Sequence, residues 1–384
     1  MKTILTFLVL FLCWSLADAQ IVSTFLTGSG LNGPDGFALD SAQNLYVANY
    51  GGGSGYTILK ITPDTVVTVI DSTSDTPDGL AFDAEGNLYI SGYNHGIVTK
   101  TTPEGVKTDF AGGFFNPSAL VFDTVGNLYV SNFGASKVSK ITPDGTASNY
   151  ALVSTSPIGL AFDPSGDLYV SSYGEGVINK VTPDGSSSIF ATVPGTPLPR
   201  LQYLVRGPSG YLYVPSYGHN KIYKISPTGE VSVLAGTGAV GSADGPALSA
   251  QFNGPNSIAL TSGGDLYVSE YNANRIRKIT GVETNVGIPE TGKNNCGKVS
   301  MSQNYPNPFR DQTTFVIETL IPRKCRLQII NSTGTQVFER DLDYRSKGKY
   351  HEIIETGNLS AGIYFARLCS EGACIAYQKI SLIR

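Results

Sequence analysis

Charged side chains are scarce in this chain. Asp, Glu, Lys and Arg make up 15% of its 384 residues, and they balance to −4. No basic stripe appears, and a nucleic-acid partner needs one to neutralise phosphate, so nucleic acid is excluded as a ligand. Histidine is rare, with three in the chain: His95, His219 and His351. The sequence holds no phosphate-binding P-loop, no HExxH, no EF-hand loop and no cysteine metal cluster, which removes the chemistries those motifs support. Long apolar runs are also missing beyond the N-terminus, so no transmembrane segment is expected.

The N-terminus itself reads as an export signal. Lys2 supplies the positive start, Ile4 to Leu16 the apolar stretch, and Ala17-Asp18-Ala19 a small-x-small cleavage site. Cleavage is expected after Ala19, which makes residues 1–19 the signal peptide and Gln20 the first mature residue. Bulky Phe11 and Leu12 precede Cys13, where a lipidated cysteine would want small neighbours. Cys13 and Trp14 leave with the signal. Cys296, Cys325, Cys369 and Cys374 remain, all in the last quarter of the chain. Four cysteines in an exported protein allow three pairings. Cys369 and Cys374 flank Ser-Glu-Gly-Ala, a hairpin loop, and form the first expected pair; that leaves Cys296 with Cys325. Free thiols are the alternative.

Glycine and tyrosine are abundant instead, with 44 and 21 residues. They sit in an internal repeat. Pro77-Asp78-Gly79-Leu80-Ala81-Phe82-Asp83 returns as Pro157-Ile158-Gly159-Leu160-Ala161-Phe162-Asp163, and each is followed by a Leu-Tyr-aliphatic phrase. That phrase occurs at Tyr46, Tyr89, Tyr129, Tyr169, Tyr213 and Tyr267, about 40 residues apart and wider in the last two units. Each unit parses into four strands, with Lys137 to Ile141 a representative third strand and Val231 to Ala235 a fourth. Thr142-Pro143-Asp144-Gly145 marks a turn. Asp40, Asp83, Asp123 and Asp163 read as turn residues. Unit six loses the pattern after its third strand, while Ile21 to Leu26 resembles a fourth. The expected fold is therefore all-β: a six-bladed β-propeller closed by Ile21 to Leu26, with Val282 to Val286 as the competing strand. Closure removes exposed sheet edges.

Residues 20–281 resemble the NHL-repeat and SMP-30/gluconolactonase-like propellers. The last unit carries the likeness best, in Asp244-Gly245-Pro246-Ala247, Gln251-Phe252-Asn253-Gly254-Pro255, Leu266-Tyr267-Val268 and Asn274-Arg275-Ile276-Arg277-Lys278-Ile279. The resemblance implies a fold that hosts lactonases, lyases and plain binding modules. Residues 282–299 read as a linker. Residues 300–384 read as a small C-terminal β-sandwich. They resemble the C-terminal sorting domain of the type IX secretion system, through Tyr305-Pro306-Asn307-Pro308-Phe309, Asn331 to Gly334, Leu359-Ser360-Ala361-Gly362-Ile363-Tyr364 and Lys379-Ile380-Ser381-Leu382-Ile383. That resemblance implies a Bacteroidetes-type cell, the type IX secretion machinery as partner, and a secreted or cell-surface location.

In such a propeller the innermost strands open at the face where ligands enter. The opening residues are Asp35, Asp78, Ser118, Ile158, Gln202 and Asn256. Asp35, Asp78 and Asn256 are neighbours around a closed ring and form a candidate site for Ca²⁺ or another divalent cation, which takes several oxygen ligands. A second ring is aromatic: Tyr50, Tyr93, Phe133, Tyr173, Tyr217 and Tyr271, each four residues after its blade tyrosine. It suits either a stacking platform for a ligand or packing between blades. Glu270 is the acidic candidate for a catalytic base. Lactonases of this fold use a Glu, Asn and Asp set on a metal, and no matching Glu opens a first strand here. Streptogramin-type lyases use seven blades with a paired histidine and glutamate, which have no evident counterparts. The expected function is an exported binding module for a glycan or protein ligand, with a metal-dependent lactonase-like hydrolase as the alternative and a purely structural surface protein as the third reading.

Overall fold

The repeat folds as its spacing requires, one antiparallel sheet per unit, four-stranded in five blades and extended in the sixth by the short edge strand Gly245–Pro246. The computed structural model describes residues 20–51, 56–73, 75–283 and 299–383, with short gaps in the last stretch at 303, 306, 308, 320–321, 332–335, 356, 358 and 371–372. The signal segment and Cys296 lie outside the described residues. The chain divides into two units, Met1–Thr284 and Asn285–Arg384. Among the described residues, no helix is long and apolar enough to cross a membrane.

Six sheets make up the first unit. Blade two is typical, with strands Pro77–Phe82, Leu88–Gly92, Ile97–Thr101 and Lys107–Gly112 in sequence order. Blade six takes its fourth strand from the other end of the chain. Ile21–Thr27 pairs antiparallel with Arg275–Ile279, so the first strand of the described chain closes the ring.

The Leu-Tyr-Val phrase earns its recurrence through packing. The leucines, such as Leu88 and Leu128, are buried. The tyrosines meet the phenylalanine of the following blade edge-on, as in Tyr46 with Phe82, Tyr89 with Phe122 and Tyr129 with Phe162, at 4.8 to 5.0 Å between centroids. The cross-strand lysine covers each ring from the solvent side, with Lys100 5.3 Å from the Tyr89 centroid and Lys140 5.7 Å from that of Tyr129. The repeated aspartates hold turns. Asp83 Oδ1 accepts the Glu85 and Asn87 backbone N–H groups at 3.1 and 2.8 Å, and Oδ2 accepts from the Asn87 amide at 2.7 Å. Asp40 and Asp123 make the same three bonds.

The expected linker differs at its start. Val282 and Glu283 are buried in the propeller. Glu283 Oε1 accepts the hydroxyls of Ser209 at 2.6 Å and Tyr213 at 2.7 Å. It thereby takes the place of the turn aspartate that blade five lacks at Gly207.

The second unit has a three-stranded sheet and a four-stranded sheet. The first comprises Val299–Met301, Gln312–Thr319 and Gly348–Glu355; the second is ordered Gln336–Tyr344, Arg323–Asn331, Gly362–Ser370, Ala373–Leu382. Alternate residues of Gln312–Thr319 are buried, among them Phe315 and Ile317, against Leu327, Ile329 and Leu368. Cys369 is disulfide-bonded and lies directly across the hairpin from Cys374. Cys325 is a buried residue of this core.

Candidate functional site

Two repeated devices build the channel mouth. The first is a serine on the second strand. Ser91 Oγ accepts the Gly79 N–H at 2.7 Å and donates to the Ser118 carbonyl of the next blade at 2.7 Å. Ser131 reaches the Ile158 carbonyl at 2.7 Å, and Ser171 the Gln202 carbonyl at 2.5 Å. One blade's serine thus fixes the opening residue of the next. The inner strands approach so closely that a Cβ on Gly79 would sit 2.2 Å from the Ser118 carbonyl oxygen, which explains the glycine after the opening residue.

The second device aims the aromatics. The backbone N–H of each aromatic donates to the carbonyl two residues before its blade's opening residue: Tyr50 to Gly33, Tyr93 to Thr76, Phe133 to Asn116, Tyr173 to Ser156, Tyr217 to Arg200 and Tyr271 to Gly254, at 2.9 to 3.1 Å. The rings stand side by side, with centroids 5.7 Å apart for Tyr50 and Tyr93, 6.1 Å for Tyr93 and Phe133, 5.8 Å for Phe133 and Tyr173, and 6.0 Å for Tyr50 and Tyr271. All six are half-buried.

The two rings enclose one cavity of about 240 Å³, lined by all six opening residues, all six aromatics and Tyr203. Asp35, Asp78 and Asn256 are 8%, 4% and 5% exposed, while the aromatics keep more exposed surface, so the polar trio forms the floor and the rings the wall. Tyr203 is the residue that sequence reading missed. It occupies the column held by glycine in blades one, two and four, and its side chain fills the channel from blade five. Its hydroxyl donates to Asp78 Oδ1, and the Ser118 hydroxyl donates to the same oxygen at 3.2 Å. The signal that would have found it is the one bulky residue in a column of small ones.

The floor is electrostatically uncompensated. Burial pushes the Asp35 carboxyl well above its usual range, and the charge of Asp78 adds to the effect, while the Asn256 amide opposes it. Burial pushes Asp78 up to about 6, against the bonds from Tyr203 and Ser118. With its amide turned to Asp35, Asn256 leaves its Oδ1 buried and with no hydrogen-bond partner among the described residues. The tyrosine hydroxyls at the wall respond in kind: burial raises Tyr50, Tyr93 and Tyr271, and the two aspartates contribute.

The other expected site residues lie elsewhere. Glu270 is fully buried inside blade six. It accepts the Asn253 N–H at 2.7 Å and faces Arg275 at 3.4 Å and Arg277 at 3.5 Å. The same strand-end position in blades one and three is Asn49 and Asn132, whose side-chain oxygens accept the Asn32 and Phe115 N–H groups at 3.1 Å. Glu270 therefore clamps the loop of its blade and is not among the residues that line the channel cavity. His95 pairs with Asp75 at 3.3 Å. His219 is held by Tyr223 and the Pro197 carbonyl, both at 2.7 Å. His351 is exposed in the second unit.

A six-bladed propeller with a ligand-sized channel mouth, followed by a small β-sandwich, is the class these features define. Residues 63–281 match the virginiamycin B lyase family, and the chain belongs to that family. Residues 303–382 match the secretion system C-terminal sorting domain, a type IX sorting signal that marks the protein for export to the cell surface or beyond. No curated protein matches the chain. Solved structures with a similar fold include an auxiliary nutrient binding protein from Bacteroides thetaiotaomicron, 18% identical over 68% of this chain and 76% of that one, with a TM-score of 0.58. A gluconolactonase from Xanthomonas campestris is 18% identical over 69% and 90%, with a TM-score of 0.55. Virginiamycin B lyase from Staphylococcus aureus is 17% identical over 67% and 85%, with a TM-score of 0.52. At these identities the likeness is one of fold.

Proposed function

We propose that the protein is an exported binding module that captures part of a glycan or protein ligand in the aromatic-walled cavity. The observation that carries this reading is the convergence of all six half-buried aromatics on one cavity. Rings needed for packing alone have no reason to keep a face open to a shared space; these do. The engagement of Glu270, His95 and His219 in local contacts supports binding over acid–base chemistry. The fold of the nutrient binding protein is consistent with it. The test is capture of surface glycans and proteins by the full chain and by Tyr50→Ala, Tyr173→Ala and Tyr271→Ala. Each change should weaken capture by about fivefold, since stacking of this kind contributes on the order of 1 kcal/mol. A collapse in thermal stability with no separate effect on capture would assign the ring to packing.

A metal-dependent lactonase-like hydrolase is the second reading, favoured by two buried carboxylates beside an unsatisfied amide oxygen. Asp35, Asp78 and Asn256 offer the hard oxygen donors that Ca²⁺ takes. A cation held there would polarise a lactone carbonyl. Glu270 takes no part. Metal analysis of the purified chain with a panel of lactones decides it, and no bound ion with no turnover ends it.

A further inference from the structure

We infer that the group entering the cavity is a small protonated amine, held between the aromatic wall and the Asp35, Asp78 and Asn256 floor. The inference rests on the cavity being a ligand site and names the chemistry that site selects. Three observations carry it. The cavity is lined by two carboxylates, six tyrosines and Phe133, and no Lys, Arg or His is among its lining residues. Arg200, at the rim, is spent on the Tyr173 ring, 5.5 Å from its centroid. Asn256, which lines the floor beside Asp35, is 5% exposed, and its Oδ1 is buried with no hydrogen-bond partner among the described residues.

Each part asks for the same occupant. Ring faces attract a cation through their quadrupoles, most strongly where water is excluded. The carboxylates supply the countercharge, and a buried charge without a partner is costly. The orphaned Asn256 oxygen needs an N–H donor, which an alkylammonium brings and a quaternary ammonium or a neutral apolar group does not. At about 240 Å³ the space is below the range of roughly 300–1,000 Å³ typical of drug-sized ligands, so the group is small. Tyr203 closes the floor, so the amine enters and leaves by the mouth.

The test uses the full exported chain from Gln20, whose intrinsic emission comes from tyrosine because Trp14 is the one tryptophan. Butylammonium chloride, neutral 1-butanol, tetramethylammonium chloride and calcium chloride are titrated separately, reading tyrosine emission and thermal midpoint. The expected result is butylammonium binding about tenfold tighter than butanol, with tetramethylammonium in between. Asp35→Asn should bring butylammonium binding down towards that of butanol in the same variant; Asp78→Asn provides the same readout should the first variant fail to fold. Equal binding of butylammonium and butanol would overturn the charge selection yet leave the cavity as a ligand site. Response to calcium alone would overturn it in favour of the metal reading. Silence from every probe would overturn it too, and glycan and protein capture would then judge the binding reading separately.

Discussion

A carboxyl taken out of water holds its proton more tightly, and Asp78 carries that into stability. Its folded value lies at about 6 against 3.8 for the free side chain. Below about pH 4 both folded and unfolded chains hold the proton, and burial of the neutral group costs little. As pH rises through 6 the folded chain must ionise a buried group, so stability is lost across that window. Two pKa units correspond to roughly 3 kcal/mol. Asp78→Asn keeps an oxygen for the Tyr203 and Ser118 hydroxyls and removes the charge. In buffer free of divalent cations and amines, urea midpoints should show the variant gaining on the natural chain by roughly that amount between pH 4 and pH 7. Parallel pH profiles would show that Asp78 is not the group responsible.

The propeller's elements are nearly equivalent, and the exceptions show what each position does. Blades one to four start the turn after the inner strand with aspartate; blade five has Gly207, and Glu283 reaches back to serve it. A Cβ at 207 would lie 1.9 Å from Glu283 Oε1. Gly207→Asp alone should therefore destabilise the fold, and Glu283→Ala alone should cost roughly 1–3 kcal/mol by leaving the Tyr213 hydroxyl unpaired. Together they should recover stability, because the new aspartate regenerates the contact that Tyr129 makes with Asp123. Additive losses in thermal unfolding would refute this equivalence. The same comparison explains what was legible. Strand positions, turn aspartates and both rings follow from columns that repeat, so the order of the sequence carries them. Glu283 lies outside the repeating columns and Tyr203 departs from its own. Their roles depend on which blade meets which around the ring, and no local pattern records that. The clamp role of Glu270 is masked differently: its column holds Asn49 and Asn132, and only its charge sets it apart.

At the scale of the whole molecule, the sorting match and the proposed binding cavity lie in different units. The propeller has its own buried clusters, closed by Ile21–Thr27, and the second unit has a separate one around Phe315, Leu327 and Leu368. Because the ring is completed from within residues 20–284, removing the C-terminal residues takes away none of its strands. The sorting match at residues 303–382 places the address there. Deletion of residues 300–384 should leave a propeller that melts cooperatively, binds its ligand as before, and accumulates in the periplasm of the producing cell. Fractionation and a protease-accessibility assay on whole cells would read its position. The truncated chain reaching the medium or the cell surface at the normal level would show that the propeller carries its own export information. Loss of cooperative melting would show instead that its closure depends on residues beyond the ring.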